Sequence, residues 1–307
     1  MKKLIFSIAA LVAAVLPSDA QLLYKISGNG LKKDSYIMGT FHLADGTFID
    51  KVPGAVEAIN STDQVCGELV MSVTSNPDSV ALLTQKQLLP DGKTIKDVLT
   101  PEQFAKLDKY AEKVLGAPLS NPMLFAQIGK MSPAALTNTF TLLSYMKRDK
   151  HQVNPQNAVD ADFQTRALAA GKGVMGFETV SYQANVLFGT PIERQIVQMM
   201  CLVNDPEYYD MMTDKLVEAY YTHDLDRVNE VMNMKVEGEC DDTPEERDAL
   251  LTNRNNNWVK VMPSIMSQKP TLFVVGAGHL LGERGVITQL RNAGYKVEGT
   301  YKKEDIK

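Results

Sequence analysis

Two stretches near opposite ends of the chain share one pattern: Tyr36–Leu43 reads YIMGTFHL, and Phe273–Leu280 reads FVVGAGHL. Each combines an apolar strand with Gly-x-x-His and a leucine. The glycine lets the backbone leave the strand sharply, which puts His42 and His279 at the carboxyl end of a sheet. Open α/β sheets bind their ligands at that edge. Two such turns, in a chain with only four histidines, therefore predict one shared site.

Two glutamates follow other strand-like segments. Glu68 comes after the short apolar run 64–67, and Glu178 comes after the run 173–177. If these strands are parallel neighbours, two imidazoles and two carboxylates meet at one edge. Imidazole and carboxylate suit zinc, manganese, cobalt or iron, and a bound metal activates water while a spare carboxylate moves protons. The alternative for each side chain is a structural role, such as capping a helix.

Helix signals fill most of the chain between the two glycine-histidine turns. Thr100–Gln103, for example, is a capping box with proline at the first helical position. Strands alternate with helices at both ends of the chain, which predicts an α/β fold with a large helical insertion at about 77–260. We interpret residues 21–307 as one domain.

The amino terminus has the pattern of a secretory signal peptide over residues 1–20. Lys2 and Lys3 precede an apolar run over 4–16, and small residues lead to a cleavage site near Ala20-Gln21. This predicts a periplasmic or secreted protein with no stable membrane insertion after cleavage. The alternative is that the segment stays uncleaved as a membrane anchor. The formal net charge of −5 argues against nucleic acid as a partner, since nucleic acid favours a basic surface.

The cysteines and the remaining histidines have no predicted role in the site. Cys66 lies in an apolar run and is interpreted as a buried thiol. Cys201 and Cys240 flank helical segments and are the more plausible pair in an oxidising compartment, although both a disulfide and free thiols remain open. His151 and His223 stand in polar surroundings, which favours surface or capping roles.

An arginine near the carboxyl-terminal stretch is predicted to point inward. Arg254 and Asn255 follow Leu251 by three and four residues, on the helix face that also carries Trp258. A buried arginine requires an anion. That anion is either a substrate group or an internal carboxylate, and the sequence leaves both open.

At these residues the chain resembles the TraB/GumN family, which includes the Tiki proteases that clip Wnt proteins. The resemblance covers nearly all of the chain after residue 20, and its closing stretch is the most specific part. It rests on Gly39–His42, Glu68, 171–179, Arg254-Asn255 with Trp258, and 275–295 with its glycines.

The resemblance implies a fold related to the erythromycin esterase and ChaN-like proteins, with a mixed central sheet built from two similar halves. It also implies metal-dependent peptidase activity, with His42, His279 and Glu68 at the site. One departure is that Val70 stands where an aspartate commonly follows Glu-Leu in the family. No second carboxylate is therefore expected at that position.

The leading hypothesis is an exported metal-dependent hydrolase, a peptidase acting on an exported peptide or protein. His42, Glu68 and His279 are the expected ligands of a Mn, Co or Zn ion. Glu68, Glu178 and Arg254 are the expected catalytic groups, and Arg254 and Asn255 are expected to bind substrate. The alternatives are a non-catalytic periplasmic protein that binds or sequesters a peptide or haem, and an esterase acting on a small molecule.

Overall fold

The computed structural model describes residues 20–148, 151, 154, 157–236, 238–302 and 305–306. The predicted signal peptide lies outside the described residues except for Ala20. Within the described ranges, no helix is long and apolar enough to cross a membrane.

A six-stranded mixed sheet forms the centre of the α/β fold, as predicted. Its strands are β1 (Leu23–Ser27), β2 (Ser35–Thr40), β3 (Gln64–Gly67), β4 (Gly173–Gly176), β5 (Thr271–Gly276) and β6 (Lys296–Gly299). The order across the sheet is β4-β3-β5-β2-β1-β6. The first four strands in this order are mutually parallel, whereas β1 is antiparallel to both β2 and β6.

The two glycine-histidine stretches lie side by side, because β2 and β5 pair in parallel with Gly39 opposite Val275. Every residue of β5 is buried, as expected for a parallel strand covered on both faces. Neither Gly39 nor Gly276 has a positive φ, so these two turns do not use the left-handed conformation that only glycine adopts easily. Gly39 serves close packing instead: a Cβ there would lie 2.8 Å from Cδ1 of Leu280.

Helices surround this sheet and form most of the chain between β3 and β5. In the described ranges they are α1 (Ala55–Ser61), α2 (Met71–Thr74), α3 (Pro77–Gln87), α4 (Ile95–Val98), α5 (Pro101–Leu115), α6 (Pro122–Ile128), α7 (Pro133–Arg148), α8 (Val159–Ala169), α9 (Val180–Phe188), α10 (Ile192–Asn204), α11 (Pro206–Tyr221), α12 (Leu225–Met232), α13 (Pro244–Arg247), α14 (Asn253–Gln268) and α15 (Val286–Asn292). A π-helical segment, Asp248–Thr252, joins α13 to α14.

The helical region has a hydrophobic core of its own. Leu107 of α5, Phe140 of α7 and Met199 of α10 are fully buried together in this second cluster. Strand β4 divides the region into α2–α8 before it and α9–α14 after it. The core around the sheet is separate and contains the strand residues that position the site.

The cysteines pair as preferred: Cys201 of α10 forms a disulfide with Cys240, and Cys66 is free and buried. Burial raises the pKa of the Cys66 thiol to about 12. The surface assignment of His223 was wrong, because only 2% of this residue is exposed. Its Nδ1 lies 3.2 Å from the Tyr301 hydroxyl.

Candidate functional site

Four predicted site residues follow the carboxyl ends of the four parallel strands. Going across the sheet from β4 to β3, β5 and β2, they are Glu178, Glu68, His279 and His42. Since parallel strands end at the same edge, the two imidazoles and two carboxylates meet there. The expected convergence is thus observed.

Arg254 lies at the centre of this edge and is buried. Its Nε and Nη2 donate to Glu178 at 2.8 and 3.0 Å, and Nη2 also donates to Oε2 of Glu68. Nη1 donates to the carbonyl of Leu250 at 3.2 Å and to Nε2 of His279 at 3.0 Å. All five N–H bonds of the guanidinium are therefore in use, and the anion required by this arginine is a pair of internal carboxylates.

Glu178 fixes the position of the guanidinium. Its Oε1 also accepts a 3.0 Å bond from Nε1 of Trp258, and Gln183 reaches its Oε2 at 3.5 Å. The Arg254 guanidinium lies over the Trp258 ring, 4.9 Å from its centroid. Both glutamate oxygens are thus engaged by groups of the protein itself.

Glu68 is buried as an ion. Gly276 N–H donates to Oε1 at 2.7 Å, and Gln183 donates to Oε2 at 3.1 Å. Burial would raise the pKa of Glu68, but the charges of His42 and Arg254 and the Gly276 hydrogen bond outweigh it and hold the pKa below its ordinary value. The carboxylate therefore stays ionised at neutral pH.

His279 is held as a neutral imidazole. Its Nδ1 donates to Oδ1 of Asn255 at 2.6 Å, and Asn255 is itself fixed by donating to the carbonyl of Arg284 at 3.0 Å. Burial lowers the pKa of His279 to about 3, and the nearby Arg254 contributes to the same shift. The lone pair therefore resides on Nε2, where Arg254 donates.

His42 is the most accessible member of the site, with 62% of its side chain exposed. Its Nδ1 lies 2.9 Å from Oδ2 of Asp160. The other oxygen of Asp160 accepts a 2.8 Å bond from the Thr40 hydroxyl. Asp160 raises the pKa of His42 above its usual range and leaves Nε2 as the free ring nitrogen.

A small space above Gly276 lies between the expected metal ligands. A Cβ on this glycine would lie 3.3 Å from Oε1 of Glu68, 3.5 Å from Nε2 of His42 and 3.5 Å from Cδ2 of His279. The donor types fit a divalent transition metal, and His42 Nε2 and Glu68 Oε1 adjoin this one space. The atom of His279 that adjoins this space is the ring carbon Cδ2. Nε2 of His279 accepts a hydrogen bond from Arg254 instead. In this arrangement no group of three His, Cys, Asp or Glu side chains of the described residues is placed to hold a metal ion.

A cavity of about 570 Å³ opens above this edge of the sheet. His42, Glu68, Arg254 and His279 line it together with Asp160. Its volume falls within the range of about 300–1,000 Å³ that is typical of ligand pockets. Three of the four strand-end residues, His42, Glu68 and His279, thus line a cavity that a ligand can enter, whereas Glu178 does not line it.

Sequence reasoning missed Asp160 and Gln183. Asp160 lies in the first turn of α8, where an aspartate is ordinarily explained by the helix dipole. Gln183 lies one turn into α9, five residues after Glu178. The signal in the sequence that could have pointed to Gln183 was its position in the helical turn that follows Glu178, an expected site residue.

The model of the TraB/PrgY/gumN family matches residues 22–299 of this sequence. The chain belongs to the TraB/PrgY/gumN family. The match includes both glycine-histidine turns, both glutamates and Arg254, so the whole strand-end site lies within the family domain.

Curated relatives of this TraB/PrgY/gumN protein are named metalloproteases. Metalloprotease TIKI1 of Danio rerio is 25% identical over 312 residues, covering 88% of this chain and 62% of the relative. The TIKI homolog of Amphimedon queenslandica is 24% identical, covering 85% and 58%, and TIKI1 of Homo sapiens is 24% identical, covering 87% and 60%. The chain thus spans about three-fifths of the length of these relatives. No solved structure matches it.

Proposed function

We propose that this protein is an exported metal-dependent peptidase that cleaves an exported peptide or protein. His42, Glu68 and His279 would hold its divalent ion, Mn, Co or Zn. The observation that carries the proposal is that these three side chains surround the space above Gly276 within an accessible cavity. The metalloprotease names of the relatives support the same chemistry.

Two polar side chains, Asp160 and Asn255, orient the imidazoles for this role. Asp160 holds Nδ1 of His42 and leaves Nε2 toward the space above Gly276. Asn255 holds Nδ1 of His279 and leaves the lone pair on Nε2. Carboxylates and carbonyls orient metal-bound histidines in the same way. A divalent ion bound here would polarise the scissile carbonyl and lower the pKa of bound water.

The two carboxylates and Arg254 have separate roles in this proposal. Glu68 stays ionised, which suits a ligand or an electrostatic role better than donation of a proton. Arg254 forms ion pairs with both Glu68 and Glu178. Nε2 of His279 could hold an ion only after Nη1 of Arg254 has released it. Substrate contact by Arg254 or Asn255 remains a prediction, and it requires the substrate to displace one of their present partners.

Metal titration by calorimetry tests the ligand assignment. The metal-free wild-type protein should bind one Mn²⁺, whereas His42→Ala and His279→Ala should each abolish binding without unfolding the protein. His151→Ala is the matched control, because His151 does not line the cavity, and it should bind as the wild type does. Unchanged binding in both site variants would contradict the assignment. Tight binding of peptide or haem without metal or cleavage would favour the non-catalytic alternative.

A further inference from the structure

The cavity above the strand ends has mainly apolar walls. Helix α9 contributes Val180 and Leu187, and α12 contributes Val228 and Met232. Leu251, from the π-helical segment, extends the same lining. Covering apolar surface of this kind with an apolar ligand group stabilises the complex by roughly 25 cal/mol for each Å² removed from water.

The charged groups in the described part of the lining are already paired with one another. His42 pairs with Asp160, and Arg254 contacts both Glu68 and His279. A charged substrate side chain packed against the apolar walls would therefore lose hydration without gaining an opposite charge from them, which is unfavourable. The cavity walls thus favour apolar substrate side chains and disfavour charged ones.

Two leucines extend the apolar surface toward solvent. Leu187 of α9 is 44% exposed and Leu250 of the π-helical segment is 37% exposed, and both line the cavity. The two elements contact each other. Single π-helical turns occur often at functional sites, and this one ends two residues before Arg254. Exposed apolar groups that continue a cavity wall indicate a surface that a ligand covers.

We infer that this site accepts peptides whose side chains next to the scissile bond are apolar, such as leucine, methionine or phenylalanine. This inference rests on the proposed peptidase function, because it concerns the same cavity. At about 570 Å³, the cavity has room for more than one such side chain. A preference of roughly 10-fold or more in kcat/KM over charged residues is expected, because differences of a single methylene in an apolar pocket can reach this size.

Quenched fluorescent peptides test the preference directly. The peptides share their flanking residues and carry leucine, phenylalanine, aspartate or lysine beside the cleavage position, and each is assayed with Mn²⁺. The wild type should favour leucine and phenylalanine. Leu187→Asp and Leu250→Asp should reduce that preference, whereas Leu168→Asp, at an exposed position of α8 that does not line the cavity, should leave it unchanged. Equal cleavage of all four peptides would overturn the inference and leave the peptidase function standing.

Binding of the neutral apolar dye Nile red separates this inference from the catalytic proposal. The dye should fluoresce with the wild type and with Leu168→Asp, and lose most of its signal with the Leu187→Asp/Leu250→Asp double variant. Dye binding of this pattern in a protein that cleaves no peptide would support the apolar ligand class and count against the peptidase. Equal dye signals in the wild type and the double variant would overturn the inference.

Discussion

Nη1 of Arg254 lies 3.0 Å from Nε2 of His279, so the guanidinium is bonded to the ring nitrogen through which this histidine would bind a metal ion. The same guanidinium neutralises Glu68, another expected ligand. Arg254 therefore fixes the two buried ligands in relation to each other, and its removal has consequences for both stability and metal binding.

Replacing Arg254 by methionine should lower the free energy of unfolding by roughly 3–5 kcal/mol, since a buried ion pair loses one partner and leaves buried charge behind. Denaturant unfolding measures this change. Arg284→Met is the matched control: Arg284 forms an ion pair with Asp248 but 60% of its side chain is exposed, so about 1 kcal/mol or less is expected. A loss no larger than that of the control would show that Arg254 has no structural role.

Asp160→Asn should lower the pKa of His42 toward its ordinary value, because the carboxylate that favours the protonated imidazole becomes neutral. Titration of the His42 ring signals by NMR in the metal-free protein measures this shift. Metal affinity should fall roughly 10- to 100-fold, as when other partners of metal-bound histidines are removed. Asp162→Asn, on the same helix but paired with Arg166, should change neither quantity. An unaltered His42 titration in Asp160→Asn would exclude the orienting role.

Thiol labelling should find one free cysteine, Cys66, and only after denaturation, because burial keeps its thiol protonated and inaccessible. The Cys201→Ser/Cys240→Ser variant should lose up to ~4 kcal/mol of stability, as the chain-entropy relation gives for a bridge spanning 39 residues. Cys66→Ser is the control that leaves the bridge intact. Three labelled cysteines in the unreduced, denatured wild type would contradict the disulfide.

His223→Asn should change how stability depends on pH. Burial lowers the pKa of His223 from 6.5 to about 4, so its neutral form stabilises the fold above pH 6.5, and this contribution is lost as the pH falls toward 4. The loss is on the order of 3 kcal/mol, since one pKa unit corresponds to about 1.4 kcal/mol. Asparagine tolerates the backbone φ of 57° at this position.

Unfolding measured at several pH values from 8 to 4 provides the test. The His223→Asn variant should start less stable than the wild type and lose less stability on acidification. Parallel curves for the wild type and His223→Asn would show that His223 does not carry this pH dependence.

The strand-end residues could be predicted from the sequence because parallel strands end at a common edge. An apolar run precedes each of these residues, which are His42, Glu68, Glu178 and His279. A residue that follows such a strand lies at the edge where the strands end. The inward direction of Arg254 was predictable for a similar reason, from helix periodicity. Its partners were not, since the sequence does not show which carboxylates the helix approaches.

Asp160 could not be found in this way. It contacts His42 across 118 residues, and the contact depends on where α8 packs beside the sheet. The burial of His223 was equally hidden, because its immediate neighbours in sequence are polar while Phe48 and Tyr301 cover it in the fold. Both cases depend on long-range packing, which local pattern does not determine.

Cleavage of a peptide library by the purified, chelator-treated protein, with and without Mn²⁺, shows whether this protein is a metal-dependent peptidase. Cleavage should depend on added Mn²⁺ and disappear in both His42→Ala and His279→Ala, whereas His151→Ala should retain wild-type activity. Absence of cleavage with Mn²⁺, Co²⁺ and Zn²⁺ from a folded wild-type protein, or equal cleavage by the two histidine variants, would contradict the proposal.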